Sequence, residues 1–160
     1  MIRPADYPDA ASICKIYNHY VTNSTITFEE NPVSVVEMEA RIKDTIQTYP
    51  WLVYEENGKI LGYTYAHKWR ERSAYRYSVE TGIYLDPAFV GKGIGTELKR
   101  ELLKVLKEKS IHTVICGIAL PNPASIALCE KFGFKKAAHF NNVGYKMNKW
   151  IDVGYWQLIL

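Results

Sequence analysis

Four sets of residues in this chain have types and spacings suited to chemistry. The first is the run Gly91-Lys92-Gly93-Ile94-Gly95, with Thr96 and a strongly amphipathic stretch directly behind it. Glycines let a backbone approach a ligand closely and turn several N–H groups one way. A helix N-terminus adds partial positive charge, so the combination suits a phosphate or pyrophosphate. The second is Glu80, set in the otherwise apolar centre of residues 78–85. In a strand, Glu80, Gly82 and Tyr84 face one way while Val79, Thr81 and Ile83 face the other. A carboxylate there is costly unless it is paired, for example with Arg76, or used to take a proton from an amine. The third set is Arg70, Glu71 and Arg72, with Arg76 beyond. Guanidinium groups grip carboxylates and phosphinates in a forked geometry, although exposed loop charges would read the same way. The fourth is Asn122-Pro123, a helix cap followed by a first helical residue.

Spacing decides which phosphate ligand the glycine run can hold. A P-loop needs G-x-x-x-x-G-K-[ST], which this stretch does not supply. The dinucleotide fingerprint G-x-G-x-x-G fails as well, because its last position falls on Thr96 or Leu98. No carboxylate follows about 20 residues later to hold a ribose, where Val114, Ile115 and Cys116 stand.

Composition bounds the rest. The chain has 160 residues, 48% hydrophobic and 23% charged, and reads as one domain with a real core. A net charge of +3 without a basic–aromatic patch argues against a nucleic-acid partner. The lysines of 99–109 alternate with Glu97, Glu101 and Glu108, as on a solvated helix face. Cys14, Cys116 and Cys129 form no Cys-x-x-Cys, and His19, His67, His112 and His139 have no ligand spacing, so no metal is expected. Without a leader or a long apolar run, the expectation is a reduced, cytoplasmic protein with no membrane association.

The elements that must position these groups follow from pattern. A short first strand at 2–4 precedes a helix whose apolar positions Ala10, Ile13, Ile16, Tyr17 and Tyr20 keep helical spacing. A polar loop over 23–32 leads to a second helix with the capping box Ser34–Glu37, running to Tyr49 before Pro50. Strands at 51–54 and 60–67 flank Asn57-Gly58, which favours a type I′ hairpin turn. A long strand at 75–85 then runs into the glycine loop. A helix over 94–109 buries Ile94, Leu98, Leu102, Val105 and Leu106. A buried strand at 113–119, a helix from Asn122 to Gly133, and closing strands near 135–140 and 152–160 complete the chain. The order β-α-α-β-β-β-α-β-α-β-β describes one α+β domain on a mainly antiparallel sheet.

The segment Val90-Gly91-Lys92-Gly93-Ile94-Gly95 resembles the [QR]-x-x-G-x-[GA] acyl-CoA signature of the GCN5-related N-acetyltransferases (GNAT), with Val90 in place of Gln or Arg. The element order is also that of the family. Ile16-Tyr-Asn-His-Tyr20, Thr25-Ile-Thr-Phe-Glu29, Tyr77-Ser-Val-Glu80, Ala119-Leu-Pro-Asn-Pro-Ala-Ser125 and Trp150-Ile-Asp-Val-Gly-Tyr-Trp-Gln157 resemble its phosphinothricin and methionine sulfoximine branch across nearly the whole chain. The resemblance implies acetyl-CoA as cosubstrate and one GNAT domain over 1–160, with the sheet splayed at its fourth strand. It puts the pyrophosphate on the amides of Gly91, Lys92, Gly93, Ile94, Gly95 and Thr96. It lays the pantetheine arm along Ile83, Tyr84 and Leu85, an N–H of which would serve the oxyanion, and on Asn122. It makes Glu80 the base for a small amine, and lines the acceptor pocket with Arg70, Glu71, Arg72, Glu80, Thr81 and Gly82. The implied acceptor is the α-amine of an amino-acid-like molecule. The open alternatives are a polyamine, an aminoglycoside or a protein N-terminus, or a CoA-binding sensor without turnover. The implied assembly is a homodimer. Cys129 stands where many relatives have an acidic Tyr, and reads either as a proton donor or as a small buried thiol. Ile151 replaces a His found in several relatives, and the aromatics Trp150, Tyr155 and Trp156 read as core or dimer packing.

Overall fold

The computed structural model describes all 160 residues. Seven strands form one sheet in the order β1-β2-β3-β4-β5-β7-β6. They are β1 (Ile2–Pro4), β2 (Trp51–Glu56), β3 (Lys59–Lys68), β4 (Ser78–Leu85), β5 (Thr113–Ala119), β6 (Lys135–Lys146) and β7 (Lys149–Ile159). Four helices complete the fold: α1 (Ala10–Asn23), α2 (Val35–Ile46), α3 (Ile94–Glu108) and α4 (Pro123–Lys131). The element order read from the sequence stands, and every neighbouring strand pair but one is antiparallel.

The exception positions the site. β4 and β5 run parallel and pair only at Ser78–Thr113, Val79–Val114 and Glu80–Ile115. Beyond Glu80 they diverge, because β4 stays paired with β3 as far as Leu85 while β5 follows β7 as far as Ala119. The sheet therefore opens into a fork whose apex lies at Glu80. One face carries α1 and α2 over a core containing Ile13, Val21, Met38, Ile42, Val53 and Tyr63. The other carries α3 and α4 over Val79, Leu98, Leu102, Leu106, Val114 and Trp156. Both periodicities are those of the sequence, two along the strands and 3.6 along the helices.

Local signals act as their chemistry requires. Asn57 and Gly58 take φ of 51° and 74° at the β2–β3 turn, the left-handed pair that a type I′ turn needs. The Ser34 hydroxyl accepts from the Glu37 amide at 3.1 Å and caps α2. The other half of the expected capping box does not form, because Glu37 pairs with Arg41 one turn on at 2.6 Å. α2 ends at Ile46 rather than at Tyr49. The strand expected from Tyr75 starts at Ser78, since residues Ser73–Tyr75 form a single 3-10 turn. β6 runs on to Lys146 rather than ending near Phe140, and β7 begins at Lys149 rather than near Asp152. Met147 and Asn148 turn the chain with φ of 54° and 57°, without a glycine to announce it. The resulting hairpin arm reaches well beyond Phe140.

Candidate active site

The donor side is an elongated cleft of about 630 Å³ opening along the fork, between β4 and α4. At one end lies the glycine loop. Gly91 and Gly93 take φ of 81° and 87°, and a Cβ on either would meet nothing within 4 Å, so their backbone is open to the cleft. Gly93 is the N-cap of α3, and Thr96 and Glu97 already donate back to its carbonyl. The N–H groups ahead of them have no acceptor within the helix. Lys131 Nζ stands 3.5 Å from Thr96 Oγ1 and adds positive charge at this end. Lys92 folds its ammonium over the Phe89 ring, 4.4 Å from the centroid.

Along the cleft, Ile83, Tyr84 and Leu85 carry backbone that has no strand partner on the β5 side. The Leu85 carbonyl is already engaged by the Tyr20 hydroxyl at 2.6 Å. Asn122 lines the opposite wall, and its Oδ1 accepts from the Ser125 amide at 3.2 Å as the cap of α4. These residues fit a nucleotide-linked acyl donor: open glycines and free amides for the diphosphate, and an unpaired strand edge for an extended arm.

A smaller cavity of about 230 Å³ lies on the α1/α2 face of the sheet. Its lining includes Glu80, Gly117, Tyr155 and Tyr84, with Thr27 and Phe28 from the loop between α1 and α2. Tyr84 and Ile26 line both this cavity and the donor cleft, so the two chambers share a wall. Glu80 lies across Gly117, where a Cβ would come within 2.8 Å of Oε1. Burial pushes the Glu80 carboxyl above its ordinary range, against the opposing pull of His67, Arg70 and the Gly117 amide. Glu80 takes part in no ion pair. Arg76 stacks on Tyr77 and donates to the Ser73 carbonyl instead, which removes the pairing that its spacing allowed.

The remaining acceptor-side residues divide. Arg70 stacks on Trp69, whose ring meets Tyr155 edge-on at 5.5 Å, and the Arg70 charge is felt at both Glu80 and Tyr155. Glu71 pairs with Lys68 at 3.0 Å, and Arg72 is exposed without a side-chain bond. Gly82 lies under the Tyr65 ring, three atoms of which would be within 2.9 Å of a Cβ there. Thr81 points its side chain away from Glu80, towards α3, as the strand's alternation requires.

Thr81 belongs to a cluster at the fork apex that the sequence did not reveal. Lys99 is 2% exposed, not part of a solvated face. Its ammonium donates to Thr81 Oγ1 at 3.1 Å, lies 3.0 Å from Cys116 Sγ and sits over the Phe134 ring. No carboxylate pairs with it. Cys116 is held well below the ordinary thiol range by the neighbouring Cys129 and by Lys99, while Cys129 itself is pushed up. Cys129 is a free, buried thiol. No group of three or more His, Cys, Asp or Glu residues is placed to hold a metal ion.

Several lining residues were not anticipated: residues 26–28, read as a polar loop, Gly117, and Tyr155, read as packing. Trp156 is core, whereas Trp150 is 66% exposed. Val90 is exposed beside the glycine loop, and Ile151 is buried opposite Gly144.

A forked sheet with a glycine-capped helix at one end of the cleft and a half-buried carboxylate at the fork apex is the frame of an acyl-CoA transferase. Residues 2–154 match the acetyltransferase (GNAT) domain family, and the chain belongs to it. It is an N-acetyltransferase of the phosphinothricin acetyltransferase type, with acetyl-CoA as cosubstrate. It is 36% identical over 156 residues to the phosphinothricin N-acetyltransferase of Streptomyces viridochromogenes, covering 98% of this chain and 85% of that one. It is 37% identical over 163 residues to the L-methionine sulfoximine/L-methionine sulfone acetyltransferase of Salmonella typhimurium, covering 99% and 94%. The crystal structure of a GNAT superfamily phosphinothricin acetyltransferase from Sinorhizobium meliloti, in complex with AcCoA, superposes with a TM-score of 0.97. That pair is 37% identical, over 100% of this chain and 88% of that one.

Proposed function

We propose that the chain acetylates the α-amine of a small amino-acid-like acceptor such as phosphinothricin or methionine sulfoximine, with Glu80 as general base. The observation that carries this is the unpaired, half-buried Glu80 carboxylate, held in a cavity that shares its Ile26 and Tyr84 wall with the donor cleft. An α-amine arrives mostly protonated near neutral pH, and a carboxylate raised by burial is better matched to take its proton than an exposed one. At about 230 Å³, the cavity lies below the roughly 300–1,000 Å³ of sites for drug-sized ligands. That size favours an amino acid over an aminoglycoside or a folded protein end.

Arg70 supplies positive charge near this cavity and is the residue we assign to an acceptor carboxylate or phosphinate. Glu71, Arg72, Thr81 and Gly82 do not line this cavity, and we assign the acceptor no contact with them. Asn122 and the backbone of Ile83, Tyr84 and Leu85 hold the donor arm, with an N–H of that segment aimed at the developing oxyanion. One such donor is typically worth about 2.7–4 kcal/mol in the transition state. The same reading makes the protein a cytoplasmic homodimer. The exposed Phe140, Val143, Tyr145 and Trp150 of the β6–β7 arm form the face between copies. No helix is long and apolar enough to cross a membrane.

The test is thiol release from acetyl-CoA over a panel of amines. Phosphinothricin, methionine sulfoximine and methionine sulfone should support release, with spermidine, an aminoglycoside and a peptide N-terminus well behind. Release with spermidine alone would overturn the acceptor assignment. Binding of acetyl-CoA without release for any amine would make the protein a sensor.

A further inference from the structure

We propose that Lys146 is a positioning residue for the acceptor site, holding the loop at residues 26–28 over Glu80 from the far side of the sheet. The proposal rests on the reading of the Glu80 cavity as the acceptor chamber.

Lys146 lies on the edge strand β6, yet it is only 3% exposed. Its ammonium donates to the Thr27 carbonyl at 2.8 Å, a bond between residues 119 apart in the chain. A lysine is almost never buried this deeply unless something pairs it. No carboxylate is bonded to it, and burial pulls its pKa down against the opposing influence of Glu30 and Glu29. The Thr27 carbonyl is the acceptor that pairs this buried charge, which ties its position to that of Thr27.

A steric contact two residues away acts on the same loop. A Cβ on Gly144 would come within 2.4 Å of two Phe28 ring atoms, so the far end of the ring occupies the space a side chain would need at this point. Gly144 and Lys146 face inward while Val143 and Tyr145 are 58% and 53% exposed, as alternation along β6 dictates. The inner face of the hairpin arm therefore grips Thr27 and Phe28, both of which line the Glu80 cavity.

The other fastenings of the loop all come from the helical side. The Tyr17 hydroxyl bonds Thr27 Oγ1 at 2.7 Å and donates to Glu29. Arg41 grips Glu29 with two bonds, of 2.9 and 2.6 Å. Asn18 and Cys14 bind the Val33 carbonyl. Without Lys146, the segment stays tethered to α1 and α2 but loses its polar link to β6. The cavity wall then widens at Thr27 and Phe28, whereas only Ile26 of this loop reaches the donor cleft, whose glycine-loop end, with α3 and α4, makes no contact with Lys146.

The experiment compares Lys146→Met, Lys146→Arg and Phe28→Ala with the parent protein. Lys146→Met keeps the aliphatic stem and removes the charge. It should raise the KM for methionine sulfoximine about tenfold, the scale of one lost bond to a charged group. Equilibrium binding of acetyl-CoA should stay within about twofold of the parent. Lys146→Arg should recover part of the loss, and Phe28→Ala should reproduce it from the steric side. Hydrogen exchange should quicken at the amides of residues 26–29 in Lys146→Met and stay unchanged across α3. An acceptor KM unmoved in folded Lys146→Met, or an equal weakening of acetyl-CoA, overturns the proposal. Should Lys146→Met not fold, Phe28→Ala and Lys146→Arg carry the same comparison. If the parent transfers acetyl to no amine, the proposed function fails, and hydrogen exchange decides this inference alone.

Discussion

Replacing Gly93 and Gly58 by alanine, one at a time, separates what the fold asks of a glycine from what the donor asks. Both residues have positive φ, 87° and 74°, and a Cβ on either would meet nothing within 4 Å. Neither substitution creates a clash, so the cost to stability is backbone strain alone. An L-residue held in the left-handed region costs roughly 1–2 kcal/mol. For a chain of this size each kcal/mol lowers the melting temperature by about 2–4 °C, so each variant should melt about 2–8 °C below the parent. Their effect on the donor should differ. Gly58 sits in the β2–β3 turn, outside the cleft, whereas Gly93 caps α3 at the cleft's diphosphate end. A methyl group there would hold a phosphate off at least one amide, and a bond to a charged group is worth about 1.5–3 kcal/mol. Coenzyme A affinity, measured by titration calorimetry, should fall about ten- to hundredfold in Gly93→Ala. It should be unchanged in Gly58→Ala. Equal affinities for the two variants would refute the assignment of the glycine loop to the donor's phosphates.

Three further outcomes follow from the geometry. Lys99→Met leaves Cys116 and Thr81 without the buried ammonium that bonds both, and should melt below the parent. In that variant the Cys116 thiolate, followed by its ultraviolet absorbance, should titrate at higher pH; an unmoved titration contradicts the role given to Lys99. Asn122→Ala removes the cap of α4 at a cost of about 1 kcal/mol in stability. It should also weaken coenzyme A, and a loss of stability alone would reduce Asn122 to a cap. Glu80 acts as a base only when ionised, and burial raises its pKa. The acid limb of kcat/KM should therefore lie above the ordinary glutamate value of about 4.3. Because the raised carboxyl binds its proton more tightly in the folded state, ionised Glu80 weighs on stability above that limb. Glu80→Gln should accordingly melt no lower than the parent in mildly alkaline buffer.

Features written locally in the chain were legible in the sequence. Asn57-Gly58 marks its own turn, Asn122-Pro123 its own helix start, and the glycine run its own cleft end. Strand alternation placed Glu80 and Tyr84 together, and the same alternation turned Thr81 away from the acceptor side. Features that depend on contacts between distant residues were not legible. Lys99 reads as part of a charged helix face, and only the packing of β4 and β5 against α3 shows it buried beside Thr81 and Cys116. Tyr155 and residues 26–28 line the Glu80 cavity because β7 and the α1–α2 loop converge on Glu80 from opposite ends of the chain. The hairpin arm was cut short because Met147 and Asn148 turn without glycine. Arg70 and Arg72 look equivalent by spacing, yet Arg70 stacks on Trp69 and is among the main charges acting on Glu80, whereas Arg72 is exposed without a side-chain bond.

The central claim is that Glu80 takes the proton of the acceptor amine, and the direct measurement is single-turnover acetyl transfer by Glu80→Gln at saturating methionine sulfoximine. General-base catalysis contributes about 10²–10⁴-fold, so transfer should slow by at least about a hundredfold while coenzyme A affinity stays at the parent value. Near-normal transfer at saturating acceptor would contradict the account, leaving Glu80 a buried carboxylate without a part in the chemistry.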